Sequence, residues 1–269
     1  MQKRSVTFYL LAGFFGLFVL FLYGPMLTIL MLSLQGPEGK LTLPMRGFSF
    51  YWLGQVFQEQ RVGNFVDGFQ RSLLLGVVVL VLSLVISVMA GLAFRQRFRG
   101  SGALFYLTIA SLIVPSVLIS LGIGIAFQVL GLQTNWFSSG LGAHLTWTVP
   151  FAFLIVLGIF NRFNPAYEEA ARDLGASDVA TFWEVVLPLI APGLLGIGIL
   201  SFTLSYDEFV RTSLVSGQKN TLPLEIFGMT TNVTSPALYA LGTLTTVFSF
   251  TLILLAFWGY NKLSKRQSQ

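Results

Sequence analysis

Ser72 to Phe94, SLLLGVVVLVLSLVISVMAGLAF, runs for 23 residues without a charge and ends at the cationic turn Arg95-Gln96-Arg97-Phe98-Arg99. A helix needs about 20 apolar residues to cross the hydrocarbon layer of a bilayer. This run is long enough to cross. Short loops rich in Lys and Arg collect on the cytoplasmic side, so the turn also marks where the crossing ends.

Further charge-free runs lie at Ser5 to Gln35, Ser101 to Asn161, Val185 to Tyr206 and Ile226 to Asn261. The run from Ser101 is too long for one crossing, and the Gly, Gln, Asn, Ser and Trp residues between Gly131 and Gly142 supply a turn within it. The expected architecture is all-α: a polytopic membrane protein forming one unit over 1–269. Its six transmembrane helices fall near 6–34, 70–94, 102–130, 142–162, 186–208 and 237–261. Composition agrees, with 54% hydrophobic residues, 10% charged residues and a mean hydropathy of +0.76. Soluble domains carry about 25% charged residues. The first apolar run exceeds the roughly 7–15 residue core of a signal peptide and reads as a retained span.

With the N-terminus inside, the inner side receives Lys3, Arg4, Arg95, Arg97, Arg99, Arg162, Arg172, Lys262, Lys265 and Arg266. The outer side receives Lys40, Arg46, Arg61, Arg71, Arg211 and Lys219. This bias puts both termini in the cytoplasm. It also explains the net charge of +5 by topology rather than by nucleic-acid binding. The aromatic stretch Phe48-Ser49-Phe50-Tyr51-Trp52 suits the outer membrane interface. The absence of cysteine excludes disulfides and thiol chemistry.

One inner loop, 163–185, is more than a turn. Asn164 can cap a helix whose first position suits Pro165. Tyr167, Ala171 and Leu174 recur at helical spacing. Glu168 and Arg172, four apart, are placed to pair. Gly175 suits a left-handed stop, and Ser177 can cap a second short helix. Ala170, Ala171 and Ala176 leave room for close docking. Periodicity and caps alone fit either a docking element or an amphipathic loop lying on the membrane.

Glu169-Ala170-Ala171, three residues, Gly175, nine residues, Val185, one residue, Leu187-Pro188 resembles the EAA signature of ABC importer permeases, with Val185 in place of Ile. The resemblance implies the type I ABC importer permease fold, with a cytoplasmic coupling helix in this loop. The residues it assigns to contact with an ATPase are Glu168, Glu169, Ala170, Ala171, Arg172, Asp173, Leu174, Gly175, Ala176 and Ser177. From Glu168 to Gly217 the chain also resembles the C-type permeases of spermidine/putrescine importers. In particular, Ser205-Tyr206-Asp207-Glu208 matches their S-x-D-[DE] element at the outer end of span five. Thr221-Leu-Pro-Leu and Ser235-Pro236 fit as well, whereas the first two spans match mainly in hydropathy.

Asp207 and Glu208 are adjacent carboxylates that suit a cationic amine, and the Tyr206 ring can add a face for an ammonium group. The same carboxylates also fit an interfacial role paired with Arg211. Ser205 and Trp147 complete the candidate substrate pathway. His144, lacking a second ligand, reads as a structural group. Gly122, Gly124, Gly193, Gly196 and Gly198 suit close helix packing. Pro115, Pro188 and Pro192 suit kinks or helix ends.

The chain contains no G-x-x-x-x-G-K-[ST] phosphate loop, no metal-ligand cluster and no nucleophile–base pairing. It is therefore expected to bind no cofactor and to catalyse no reaction, with ATP and Mg held by a partner. The resemblance implies as partners a cytosolic ABC ATPase dimer, a second permease chain, a periplasmic solute-binding protein and a small solute. The expected location is the bacterial inner membrane, in contact with lipid. Polyamine is the first cargo; an amino acid derivative, an opine, ferric iron or thiamine are alternatives. A scaffold or sensor recruiting a cytosolic partner is the reading from another class. An ion-coupled carrier would call for inverted repeats, and none is visible in the sequence.

Overall fold

The computed structural model describes residues 5–39, 43–58, 64–96, 98–232 and 236–267. Among them the regular structure is helical, apart from an isolated bridge between Gln35 and Phe48. Among the described residues, five helices are long and apolar enough to cross a membrane, and a sixth crossing exists if one sharply bent helix pair counts as one span. The chain divides into two compact units, one of residues 1–64 with 228–251 and the other of 65–227 with 252–269.

The first unit contains α1 (Val6–Ser33), the short α2 (Tyr51–Gln55) and the beginning of α12 (Pro236–Gln267). Ser5 caps α1 by accepting a hydrogen bond from the Phe8 N–H. Nearly every α1 side chain is exposed and apolar, which suits lipid rather than water. The loop after it folds on itself. Gln35 is buried and accepts from the Arg46 N–H at 3.0 Å, while Trp52 Nε1 donates to the Gly36 carbonyl at 3.3 Å. Phe48, Phe50 and Tyr51 remain exposed there.

The second unit is built on α3 (Phe65–Phe94), α6 (Ser139–Arg162) and α9 (Leu187–Tyr206). Val88, Ala152, Val156, Phe160, Val186, Ile190 and Ile197 form their common core. Glycines set the approach. A Cβ at Gly91 would strike Val156 and Phe160, one at Gly76 would strike Phe202, and one at Gly193 would strike Ile159. Gly198 lies in ordinary contact distance of Leu80 and Leu84. A Cβ at Gly122 or Gly196 would meet no other part of this chain within 4 Å among the described residues.

The expected span over 102–130 is built of two helices, α4 (Ser101–Ile113) and α5 (Ser116–Val129), bent by 106° where a kink or helix end was expected at Pro115. The cause is Pro115. It has no N–H to continue the ladder, and it pushes the preceding Val114 to an extended φ of −65° and ψ of 130°. Each half is about 20 Å long, short of the roughly 30 Å hydrocarbon layer. Two further helices follow α9: α10 (Val210–Ser213) and α11 (Leu222–Asn232). The Ser72 hydroxyl accepts from the Leu222 N–H at 2.9 Å, and Arg71 Nε donates to the Asn220 carbonyl at 2.6 Å. These bonds fasten the segment after α9 to the start of α3.

Candidate functional site

At the Arg95 end of α3, the chain between α6 and α9 forms an elbow of two short helices, α7 (Ala166–Asp173) and α8 (Asp178–Thr181). The Asn164 side chain accepts from the Ala166 N–H at 3.1 Å. Glu168 and Glu169 occupy the first turn of α7, where the helix dipole favours anions. The C-terminus of α7 is a Schellman stop: Gly175 has φ +87°, its N–H donates to Arg172 O at 2.8 Å, and the Ala176 N–H reaches Ala171 O at 3.0 Å. A side chain with a Cβ is disfavoured at that φ. Ser177 then caps α8 through the Ala180 N–H at 3.2 Å.

The expected pair between Glu168 and Arg172 does not form. Arg95 Nη1 donates to Glu168 Oε1 at 2.7 Å and Nη2 to Oε2 at 2.6 Å. The planar guanidinium presents two parallel donors that match a carboxylate, which a side chain on the same short helix cannot align as well. Arg95 also lies over the rings of Phe160 and Phe163, at 5.2 and 5.4 Å. These donors hold the Glu168 carboxyl below its ordinary pKa and raise that of Arg95. Arg172 instead donates to Asp178 Oδ1 at 3.1 Å, across the Gly175 turn.

The apolar members of the elbow face outward. Leu174 is 90% exposed and Trp183 61%, and Tyr167 and Val179 are exposed as well. Glu169, Ala170, Asp173, Gly175 and Ser177 are also exposed, while Glu168, Ala171 and Ala176 are half-buried. A surface that mixes exposed aliphatic and aromatic groups with carboxylates has the chemistry of a docking face.

The residues expected to form a substrate pathway lie at the other end of α9, and they do not act as one group. Asp207 is exposed. Glu208 is buried: its Oε2 accepts from Arg211 Nη1 at 3.2 Å and its Oε1 from the Arg211 N–H at 2.8 Å. Arg211 is buried too, 4.5 Å over the Trp147 ring. A buried carboxylate demands a partner, and Arg211 is three residues away on the same turn. Glu208 is therefore neutralised within the chain, and Asp207 alone presents a charge. The Tyr206 ring is buried; it stacks on Phe202 with centroids 5.7 Å apart and makes a T-shaped contact with Phe69 at 6.3 Å.

Ser205 serves His144. The imidazole is 1% exposed, with Nδ1 2.7 Å from Ser205 Oγ and Nε2 2.8 Å from Thr212 Oγ1. Thr212 donates its only hydroxyl hydrogen to Glu208 O, at 2.8 Å. It must therefore accept from His144 Nε2–H, leaving Nδ1 to accept from Ser205. His144 is a structural link between α6, α9 and α10. Ser120 and Ser139 add to the lock, donating to Arg211 O and Val215 O at 2.8 Å each. Arg95 and Thr212 are not among the candidate residues that the sequence offers. Thr212 had a local signal, four residues beyond Glu208; Arg95 had none.

Comparison with known proteins fits this arrangement. Residues 83–269 match the family described as the inner membrane component of binding-protein-dependent transport systems. The spermidine/putrescine transport system permease protein PotC of Haemophilus influenzae is 28% identical over 251 residues, covering 93% of this chain and 95% of that protein. The PotC of Escherichia coli is 29% identical, covering 90% of each chain. The putrescine permease PotI of Escherichia coli is 29% identical, over 83% of this chain and 81% of its own. Among solved structures, a bacterial ABC transporter involved in import of the acidic polysaccharide alginate aligns with a TM-score of 0.67 at 19% identity, over 97% of this chain and 99% of that one. The methionine transporter MetNI aligns at 0.59 and 15% identity, over 74% of this chain and 95% of that one. These two likenesses are of fold. With the family model spanning most of its length, the chain belongs to the inner-membrane permease components of binding-protein-dependent transport systems.

Proposed function

We propose that this permease works as half of the membrane pathway of an ATP-driven importer, and that its cargo is a small cationic amine, putrescine or spermidine first. A separate ATPase dimer binds and hydrolyses ATP with Mg, since no phosphate loop exists in this chain. The carrying observation is the elbow. The EAA segment forms a short exposed helix, ended by Gly175 and tied back to a spanning helix through Glu168. Its exposed Leu174, Tyr167 and Glu169 form the face that docks on the ATPase. In this reading the termini and the elbow are cytoplasmic, and a periplasmic binding protein delivers cargo to the Asp207 end. ATP binding draws the elbows of this chain and a second permease together and turns the cavity outward; hydrolysis resets it.

The names of the PotC and PotI relatives support the amine, as does the exposed Asp207 carboxylate. The test is reconstitution in liposomes with a second permease, the ATPase and the binding protein. Stimulation of ATP hydrolysis by putrescine or spermidine, with uptake, is expected. Basal hydrolysis unaffected by either keeps the importer and removes polyamine as cargo. Failure of any ATPase to assemble on the intact chain returns the elbow to a scaffold role. Glu169→Lys should lose ATPase coupling with insertion intact. Asp207→Asn should weaken uptake, and unchanged uptake would make that carboxylate merely interfacial.

A further inference from the structure

Both covalent links of α7 are bends. Toward α6 the chain passes through Phe163, extended at φ −74° and ψ 130°, and then Asn164-Pro165. Toward α9 it passes through the Gly175 turn, α8 and a widened π turn at Phe182–Val186. The widening has a local cause. In a regular helix the Pro188 ring would clash with the Glu184 carbonyl four residues back. In the π turn, the Leu187 N–H donates five residues back to Phe182 O. Such turns are points of bending and are frequent at functional sites. A groove of about 540 Å³ lies between the joint and the end of α3, lined by Phe182, Trp183 and Val186 on the one side and by Leu92, Arg95 and Glu168 on the other.

The third link is made of side chains and joins α7 directly to the end of α3. Arg95 grips Glu168 with two parallel hydrogen bonds of 2.7 and 2.6 Å, and Phe160 and Phe163 back the guanidinium. The neighbouring turn of α3 is seated in the core, where Val88 and Gly91 meet Val156 and Phe160. We propose that the Arg95–Glu168 pair is a strut that carries displacement of α7 directly to α3, in parallel with the compliant route through the π turn to α9. Arg95 is then a positioning residue for transport. This rests on the reading of α7 as the ATPase contact.

In the reconstituted transporter, Arg95→Gln, which leaves every residue of the α7 docking face in place, should keep the ATPase bound and hydrolysing while lowering putrescine uptake per ATP by about tenfold, the size of a typical coupling between sites. Arg95→Lys, which keeps the charge but not the fork, should fall between this variant and the native chain. Unchanged uptake per ATP in Arg95→Gln, or loss of the ATPase from it, overturns the strut. A second readout needs neither cargo nor ATPase. Spin labels on Gln96→Cys and Ala166→Cys of the full chain in lipid nanodiscs should give a narrow distance distribution that broadens when Glu168→Gln is added. Identical distributions overturn the strut even where transport fails, whereas absent uptake with a broadened distribution counts against the transport reading alone.

Discussion

Two Arg–Glu pairs in this chain share one chemistry and have opposite settings. Arg211 and Glu208 are three residues apart, with side chains 6% exposed each. Arg95 and Glu168 are 73 residues apart, 24% and 13% exposed. The first pair is locked among His144, Thr212, Ser120 and Trp147. The second joins a spanning helix to an elbow that is otherwise hinged. The difference teaches that burial, not proximity in sequence, decides what an ion pair does. A buried pair fixes a segment because neither partner can be left alone. A partly exposed pair can transmit force and remain separable.

The largest effect should come from breaking the buried pair. We predict that Arg211→Met leaves Glu208 charged without its partner and destabilises the chain by about 3–5 kcal/mol. Unfolding in nanodiscs measures this, with Arg172→Ala as an exposed control. A loss no larger than the control's would show that Glu208 is hydrated and that the two settings do not differ. Next comes the histidine link. His144→Leu strands the Ser205 hydroxyl in a buried site and takes the Nε2–H donor from Thr212, which keeps its bond to Glu208 O, at about 1–3 kcal/mol. Adding Ser205→Ala should cost less than its single value, because the two share one network; strict additivity would argue against that network.

At the elbow, backbone geometry should matter more than charge. Gly175→Ala forces a Cβ onto a residue at φ +87°, at about 1–2 kcal/mol. The loss should be confined to the α7–α8 turn and be visible as faster amide exchange there. Exchange unchanged in that segment would mean the turn can relax to a different stop.

What could be read in advance follows the range of the interactions. The crossings were legible because each rests on hydropathy over one continuous run, and the elbow because its Asn164, Gly175 and Ser177 signals act within a few residues. Helical spacing pairs Glu168 with Arg172 because it sees only neighbours; Arg95 reaches Glu168 through the packing of α3 on α6. Pro115 marks a kink or helix end in the sequence, but the size of the bend, 106°, is set by the backbone on either side of it. At the end of α9 far from the elbow, Asp207 and Glu208 look equivalent as letters. Only the fold separates them, by turning Glu208 inward onto Arg211 and leaving Asp207 outside.

The smallest stability effect belongs to the Arg95–Glu168 pair, and its pH dependence tests the comparison most finely. Hydrogen bonding by Arg95 lowers the Glu168 pKa in the folded chain. A depressed carboxyl contributes stability that is fully present above its unfolded value, ordinarily near 4.5, and is lost as pH falls toward and through the folded value. Unfolding should therefore show no contribution from this pair to any change between pH 8 and pH 6, and a growing loss once the medium is more acid than the ordinary carboxyl range. Because solvent reaches both side chains, the loss should be no more than about 1 kcal/mol. Glu168→Gln should remove that part of the acid dependence while leaving the rest of the curve in place. A curve for the variant parallel to that of the native chain would mean the pair contributes nothing to the folded state. A strut of negligible stability is still able to couple motion, provided it holds its geometry while the helices move, so this measurement and the distance distribution separate how strongly the pair binds from how stiffly it holds.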